Sequence, residues 1–197
     1  LAGRSRIAQH RAIMDALETS GQIDDTHVAF TSDNGFLLGE HRVDDDKNLI
    51  YEESTKVPLL WRSPDGLRGT RDKPVSNIDV TAAFVELSGA TAGRTLDGTS
   101  LLPLLADRKA PWNTATLLQC VTTIGLATEH YRYCEWPDTG ELELYDLTKD
   151  PYELQNLAGV ADYAKIQHQM AKALKALEGC AGDSCQWTGK FATPPKE

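Results

Sequence analysis

The chain opens on a helical pattern. Ile7, Ile13, Met14 and Leu17 fall close to one face, while Arg4, Arg6, Arg11 and Glu18 fall where they reach water. Gly21 supplies the stop. A turn at Asp24-Asp25 precedes a short apolar strand, His27 to Thr31, which runs into Ser32-Asp33-Asn34-Gly35. Residues 36–56 form a long connection before a second apolar strand, Val57 to Trp61. Ser63-Pro64-Asp65-Gly66 reads as a turn. Asn77 is placed to cap a helix from Ile78 to about Leu87, which ends at Ser88-Gly89. Helix followed by apolar strand is the pattern of an α/β fold.

The texture changes after about Arg108. Leu117 to Ile124 and Tyr131 to Trp136 read as two strands joined by a polar turn at Thr128-Glu129. Glu141 to Tyr145 alternates and reads as a third strand with one wet face. Tyr163, Ile166, Met170, Leu174 and Leu177 form an apolar helical stripe, with Lys165, Lys172 and Lys175 towards solvent. The expected organisation is an α/β part over 1–107, a small antiparallel sheet with one packed helix over 108–186, and a loose tail over 187–197 containing Pro194-Pro195.

Composition narrows the function classes. Hydrophobic residues make up 41% and charged residues 25%, an ordinary globular balance. The formal net charge of −9 and the absence of a basic run argue against nucleic acid as a partner. No segment approaches the roughly 20 apolar residues of a membrane span. The start, without methionine or a signal-peptide core, reads as a truncated or processed chain. Of four cysteines, Cys180 and Cys185 bracket the short loop Ala-Gly-Asp-Ser. A disulfide there implies an oxidising compartment; two free thiols are the alternative.

The candidate chemistry lies between residues 31 and 52. Asp33 and Asn34 offer a carboxylate and an amide oxygen side by side, hard ligands suited to calcium or magnesium. Gly35 permits a sharp turn behind them. Lys47 brings a compact positive charge suited to a tetrahedral oxyanion. Taken alone, Asp-Asn-Gly is also a common turn, and Asp44-Asp45-Asp46 reads as a solvated acidic loop without EF-hand spacing. A lone His41 reads more simply as a surface or core histidine than as a catalytic one.

The run TSDNGFLLGEHRV, with Lys47, Tyr51-Glu52-Glu53-Ser54 and Val57-Pro58-Leu59-Leu60, resembles the sulfatase signature of the alkaline phosphatase superfamily. ELYDLTKDPYELQNLA, from Glu143 to Ala158, is similar to the segment that closes many sulfatase C-terminal modules. The resemblance, to sulfatases of the arylsulfatase and N-acetylglucosamine-6-sulfatase kind, extends from the opening helix to about Cys185. It implies the C-terminal part of an alkaline-phosphatase-like sandwich, a mostly parallel sheet with helices, followed by the small antiparallel module.

The same resemblance implies roles. Asp33 and Asn34 match the family's calcium pair, so the implied ion is Ca2+ rather than Mg2+. Lys47 matches the lysine that neutralises bound sulfate, and His41 joins it as a candidate substrate contact with no essential role carried over. The implied reaction is attack by a hydrated formylglycine on the sulfur of an aryl or sugar sulfate, with Ca2+ and Lys47 stabilising charge on the sulfate oxygens. Family habit also implies export: secreted, periplasmic or lysosomal.

The departures are specific. The Cys/Ser-x-Pro-x-Arg motif that yields formylglycine does not occur; Cys134 is followed by Glu-Trp-Pro. The family's amino-terminal acidic ligands and upstream catalytic histidines have no match, and Asp46 stands where the family often has glycine. An amino-terminal part of the same enzyme is thus the implied partner. About half a shell remains for an ion that takes about six to eight oxygens, so this chain alone is expected to bind calcium weakly and not to turn over. Two rivals are a phosphatase or phosphonate hydrolase of the same superfamily, which with two zinc ions has Asp-His where this chain has Asp33-Asn34, and a non-catalytic, sulfatase-like interaction domain.

Overall fold

The computed structural model describes residues 2–44 and 47–193, with the side chains of residues 2–7 outside the description. The expectations for the side chains of Arg4, Arg6 and Ile7, for Asp45 and Asp46, and for Pro194-Pro195 lie outside the described residues. The chain divides into two compact units, Leu1–Ser32 with Pro58–Thr70, and Asp33–Val57 with Arg71–Glu197.

The first unit contains helix α1 (Ala2–Thr19) and strands β1 (Val28–Phe30) and β2 (Leu60–Arg62). On α1 the expected stripe is only half covered: Met14 and Leu17 are half-buried and Ile13 is exposed. β1 pairs with β2 with Val28 opposite Arg62 and Phe30 opposite Leu60. The Arg62 guanidinium holds the preceding turn, donating to the Ile23 carbonyl and to Asp24 Oδ1. The pairing is antiparallel, which corrects the expected mostly parallel sheet: among the described residues both sheets are antiparallel. Apolar runs mark strands but not their direction, and here the connection over 31–59 brings β2 back against β1 reversed.

The second unit begins with a single helical turn, α2 (Glu52–Thr55), then helices α3 (Asn77–Ser88) and α4 (Leu102–Ala106). Ser76, not Asn77, is the N-cap of α3, and the Asp79 carboxylate accepts from the Ser76 N–H at 2.8 Å. Its other oxygen accepts from the Thr99 N–H at 2.8 Å. Asn77 becomes the first helical residue, and its amide turns elsewhere, as described below.

Strands β3 (Ala115–Gln119), β4 (Ile124–Thr128), β5 (Tyr131–Trp136) and β6 (Glu141–Asp146) form an antiparallel meander in chain order. The single strand expected over Leu117–Ile124 is in fact the β3–β4 hairpin, closed by Cys120 N–H donating to the Thr123 carbonyl at 2.9 Å. Its turn, Cys-Val-Thr-Thr, carries β-branched residues and no glycine, proline or asparagine, so composition conceals it. Val121 at the tip is 84% exposed. The second turn is where it was expected: Thr128 Oγ1 accepts from the Tyr131 N–H at 2.8 Å.

Helix α5 (Ala164–Leu177) lays Ile166, Met170, Leu174 and Leu177 on one face of this sheet, against Leu126, Tyr131, Tyr133 and Leu144. Burial of this stripe is the main stabilising term of the module, since each large apolar side chain contributes about 1.5–3 kcal/mol. The tail is not loose as far as Ala192: Trp187 bridges to Ala115, Thr114 Oγ1 donates to the Gly189 carbonyl at 2.6 Å, and Ala192 N–H donates to Gln169 Oε1 at 2.8 Å. Cys180 and Cys185 form a disulfide with a Cα–Cα distance of 5.0 Å, and Gly182 within its loop donates to Asp97 Oδ1 at 2.8 Å.

The module carries its own alkaline sensitivity. Burial pushes the hydroxyls of Tyr51, Tyr131, Tyr133 and Tyr145 above their ordinary value, and that of Tyr163, which donates to Asp146 Oδ2 at 2.9 Å, up to about 12. A tyrosine with a raised folded-state pKa stays neutral in the fold while the unfolded chain ionises. The stability it confers is complete below pH about 10 and is lost as pH rises through the folded value. Denaturant midpoints are therefore expected to fall between pH 10 and 12 in step with the tyrosinate absorbance. A flat midpoint over that range contradicts the assignment.

Candidate active site

Asp33, Asn34 and Gly35 follow β1 by a few residues, and α2 fixes their conformation. Gly35 N–H donates to the Ser54 carbonyl at 2.8 Å and Phe36 N–H to the Glu53 carbonyl at 2.7 Å. The approach is so close that a Cβ on Gly35 would lie 1.9 Å from the Glu53 carbonyl oxygen. Glycine is required here by space rather than by a left-handed backbone.

Asn34 is oriented from both ends of its amide. Its Nδ2 donates to the Gly35 carbonyl at 2.6 Å, and its Oδ1 accepts from Lys47 Nζ at 3.3 Å. Asn34 thus presents an oxygen, not a nitrogen, on the side where the lysine stands. The Asp33 carbonyl accepts from Asn77 Nδ2 at 3.2 Å, the interaction that takes Asn77 away from helix capping. Lys47 is held through its backbone, its carbonyl accepting from Ser54 Oγ at 2.6 Å. The structure therefore brings Asn34 and Lys47 together, with Asp33 adjacent to Asn34 in the chain and exposed. The donors are a carboxylate and an amide oxygen, which fit Ca2+ or Mg2+ and not a soft metal.

His41 joins the same hub at another point. Its backbone is left-handed, with φ of 54°. Its Nε2 lies 3.3 Å from Glu53 Oε2, and its ring stacks on Tyr51 with centroids 3.8 Å apart. The side chain is 9% exposed, so His41 is held in the packing around Glu53 and Tyr51 and is not a free arm.

Behind α2 stands a group of residues that the sequence did not single out as functional. Arg132 on β5 and Glu153, which follows β6, are both buried. Arg132 Nε donates to Glu153 Oε1 at 2.7 Å, its Nη1 donates to Thr55 Oγ1 at 2.8 Å, and its Nη2 lies 3.6 Å from Glu52 Oε1. Glu153 Oε2 accepts from the Glu52 N–H at 2.8 Å. Burial pushes the Glu153 carboxyl up, and the adjacent guanidinium opposes that rise. Ligand atoms of His41, Glu53 and Glu153 also lie within 4.8 Å of one another. Glu153 is already committed to a guanidinium and an N–H, so this is an ion-paired network and not a second cation site. Glu52, Glu53 and Glu153 belong to the motifs YEES and DPYEL, but only the fold shows that these motifs meet.

Comparison with known proteins identifies the family. Residues 39–179 match the family model described as N-sulphoglucosamine sulphohydrolase, C-terminal. The chain is 31% identical over 181 residues to an N-acetylglucosamine-6-O-sulfatase of Bacteroides thetaiotaomicron, covering 84% of this chain and 32% of that protein. It is 28% identical over 222 residues to human N-acetylglucosamine-6-sulfatase, covering 91% of this chain and 40% of that protein. It thus spans about a third of these relatives' length. Among solved structures, one bound to its substrate D-glucosamine-2-N,6-O-disulfate superposes with a TM-score of 0.74 at 29% identity, covering 85% of this chain and 37% of that one. A phosphonate monoester hydrolase of Agrobacterium radiobacter superposes with a TM-score of 0.76 at 27% identity, covering 87% and 38%. A family match over more than half its length places the chain plainly: it belongs to the sulfatase family, in its N-sulphoglucosamine sulphohydrolase C-terminal region.

Proposed function

We propose that this chain is the C-terminal part of a sulfuric ester hydrolase, acting on a sulfated sugar such as an N-acetylglucosamine 6-sulfate, and that it supplies half of the metal shell and the sulfate-binding lysine. The observation that carries the reading is the 3.3 Å contact between Lys47 Nζ and Asn34 Oδ1, which sets one cation beside the amide oxygen of the residue that follows Asp33. Asp33 and Asn34 hold the calcium. When bound, the ion supplies a Lewis acid for the sulfate oxygens. Lys47 swings from Asn34 to the sulfate as substrate arrives and neutralises the charge that concentrates on its oxygens. His41, stacked on Tyr51, forms the wall against which the ester lies. The formylglycine nucleophile and the remaining ligands belong to the parent protein outside these residues. The Cys180–Cys185 disulfide supports an exported, oxidising location.

The test uses the full-length enzyme. Lys47→Ala is expected to lower kcat/KM for sulfate release from N-acetylglucosamine 6-sulfate by about 100-fold or more, the scale of losing one electrostatic contact to the transition state. Wild-type turnover in the variant, or no sulfate release by the parent enzyme, overturns the reading. The likeness to a phosphonate monoester hydrolase favours one rival, so a phenyl phosphonate monoester belongs in the same assay. Faster turnover of that substrate than of the sulfate ester assigns the enzyme to the rival class.

A further inference from the structure

We propose that Arg132 and Glu153 are positioning residues for this reaction: a buried ion pair of the C-terminal sheet that sets where Lys47 and Asn34 stand. The inference rests on the function proposed above and adds to it the device that fixes the site's geometry.

α2 is one turn long, and a single turn has no stability of its own. Its position is dictated by what grips it. Arg132 and Glu153 grip both ends: Glu153 takes the N–H of its first residue, Glu52, and Arg132 reaches the hydroxyl of its last, Thr55, while also lying beside the Glu52 carboxylate. Nη1 and Nη2 of one planar guanidinium reach the two ends of the turn while Nε holds Glu153, a task that a lysine's single ammonium cannot perform. From its other side α2 hands that position on. The carbonyls of Glu53 and Ser54 hold Phe36 and Gly35, and the Ser54 hydroxyl holds the Lys47 backbone. The links to Gly35, Phe36 and Lys47 are all hydrogen bonds to backbone, so a shift of α2 moves both sides of the Asn34–Lys47 pair. Glu153 itself sits in a left-handed backbone, φ of 52°, while 2% exposed. A non-glycine residue in that region is uncommon and persists where surrounding contacts over-determine it.

Arg132→Lys in the full-length, metal-loaded enzyme is the primary variant, because it keeps charge and burial and removes only the span. kcat is expected to fall about 10–100-fold, the range expected from misplacing a catalytic group by about 1 Å. Inhibition by inorganic sulfate is expected to weaken with it, a change that a merely less stable protein does not show. The double variant with Lys47→Ala is expected to lose less than the product of the two single losses, because part of the Arg132→Lys effect passes through Lys47. Thr55→Ala removes one end of the span at less cost to folding and decides the matter if Arg132→Lys does not fold. Either folded variant at wild-type kcat overturns the proposal, as does a double variant whose losses multiply. If Lys47→Ala retains wild-type turnover, the functional reading fails. If Lys47→Ala is impaired while Arg132→Lys and Thr55→Ala are not, only the positioning role fails.

Discussion

Gly35→Ala is expected to cost about 3 kcal/mol of stability and to lower turnover of the full-length enzyme about 100-fold. The added Cβ would meet the Glu53 carbonyl oxygen at 1.9 Å and its carbon at 2.9 Å. Both are backbone atoms of α2 and cannot rotate aside. The Asp33–Phe36 turn must therefore lift off α2, losing the hydrogen bonds from Gly35 and Phe36 that hold it. Gly140→Ala provides the control. That glycine has φ of 75° and nothing within 4 Å of its added Cβ, so alanine there is strained but unobstructed. It is expected to cost about 1 kcal/mol and leave turnover unchanged. Melting temperatures and kcat for the two variants, measured side by side, decide this; equal losses at both positions contradict the steric account.

Asp33→Ala is expected to abolish turnover for a different reason, by about 1000-fold, while leaving the fold intact because Asp33 is exposed. In the proposed shell, loss of the carboxylate leaves Asn34 alone with a neutral oxygen. Metal analysis of the purified full-length variant is expected to show little bound calcium. Chelation should bring the wild-type enzyme down to the variant's rate, and added Ca2+ should restore only the wild type. A variant that keeps both metal and rate removes Asp33 from the site.

The parts of this protein that were legible in the sequence are those in which local pattern and tertiary environment agree. Helix α5 is plain because its stripe packs on the sheet without interruption. β5 and β6 were legible as strands, but the one wet face expected from the alternation of Glu141 to Tyr145 is not kept: Tyr131 to Cys134 of β5 and Leu144 to Asp146 of β6 are all buried. The β3–β4 hairpin was hidden because Cys120 to Thr123 turn the chain with residues that favour strands. The direction of β2 was hidden because strand direction leaves no periodic trace. At the candidate site, Asp33, Asn34 and Lys47 could be listed from residue chemistry, and the sulfatase resemblance implied a shared role for them. The clamp behind them could not be read in the same way. Glu52 and Glu153 stand 101 residues apart, and Arg132 and Thr55 stand 77 apart. A buried arginine on a strand looks, in sequence, like any polar position on its wet face.

The β1–β2 pair bears on how this chain behaves by itself. Among the described residues each strand pairs only with the other, so each has one edge without a strand neighbour. Phe30 and Leu60, opposite each other at one end, are 38% and 64% exposed. An open ladder with apolar ends is a template for strand addition. Produced alone, the chain is expected to self-associate as its concentration rises, and Leu60→Lys, which places a charge on the edge, to reduce that association in sedimentation experiments.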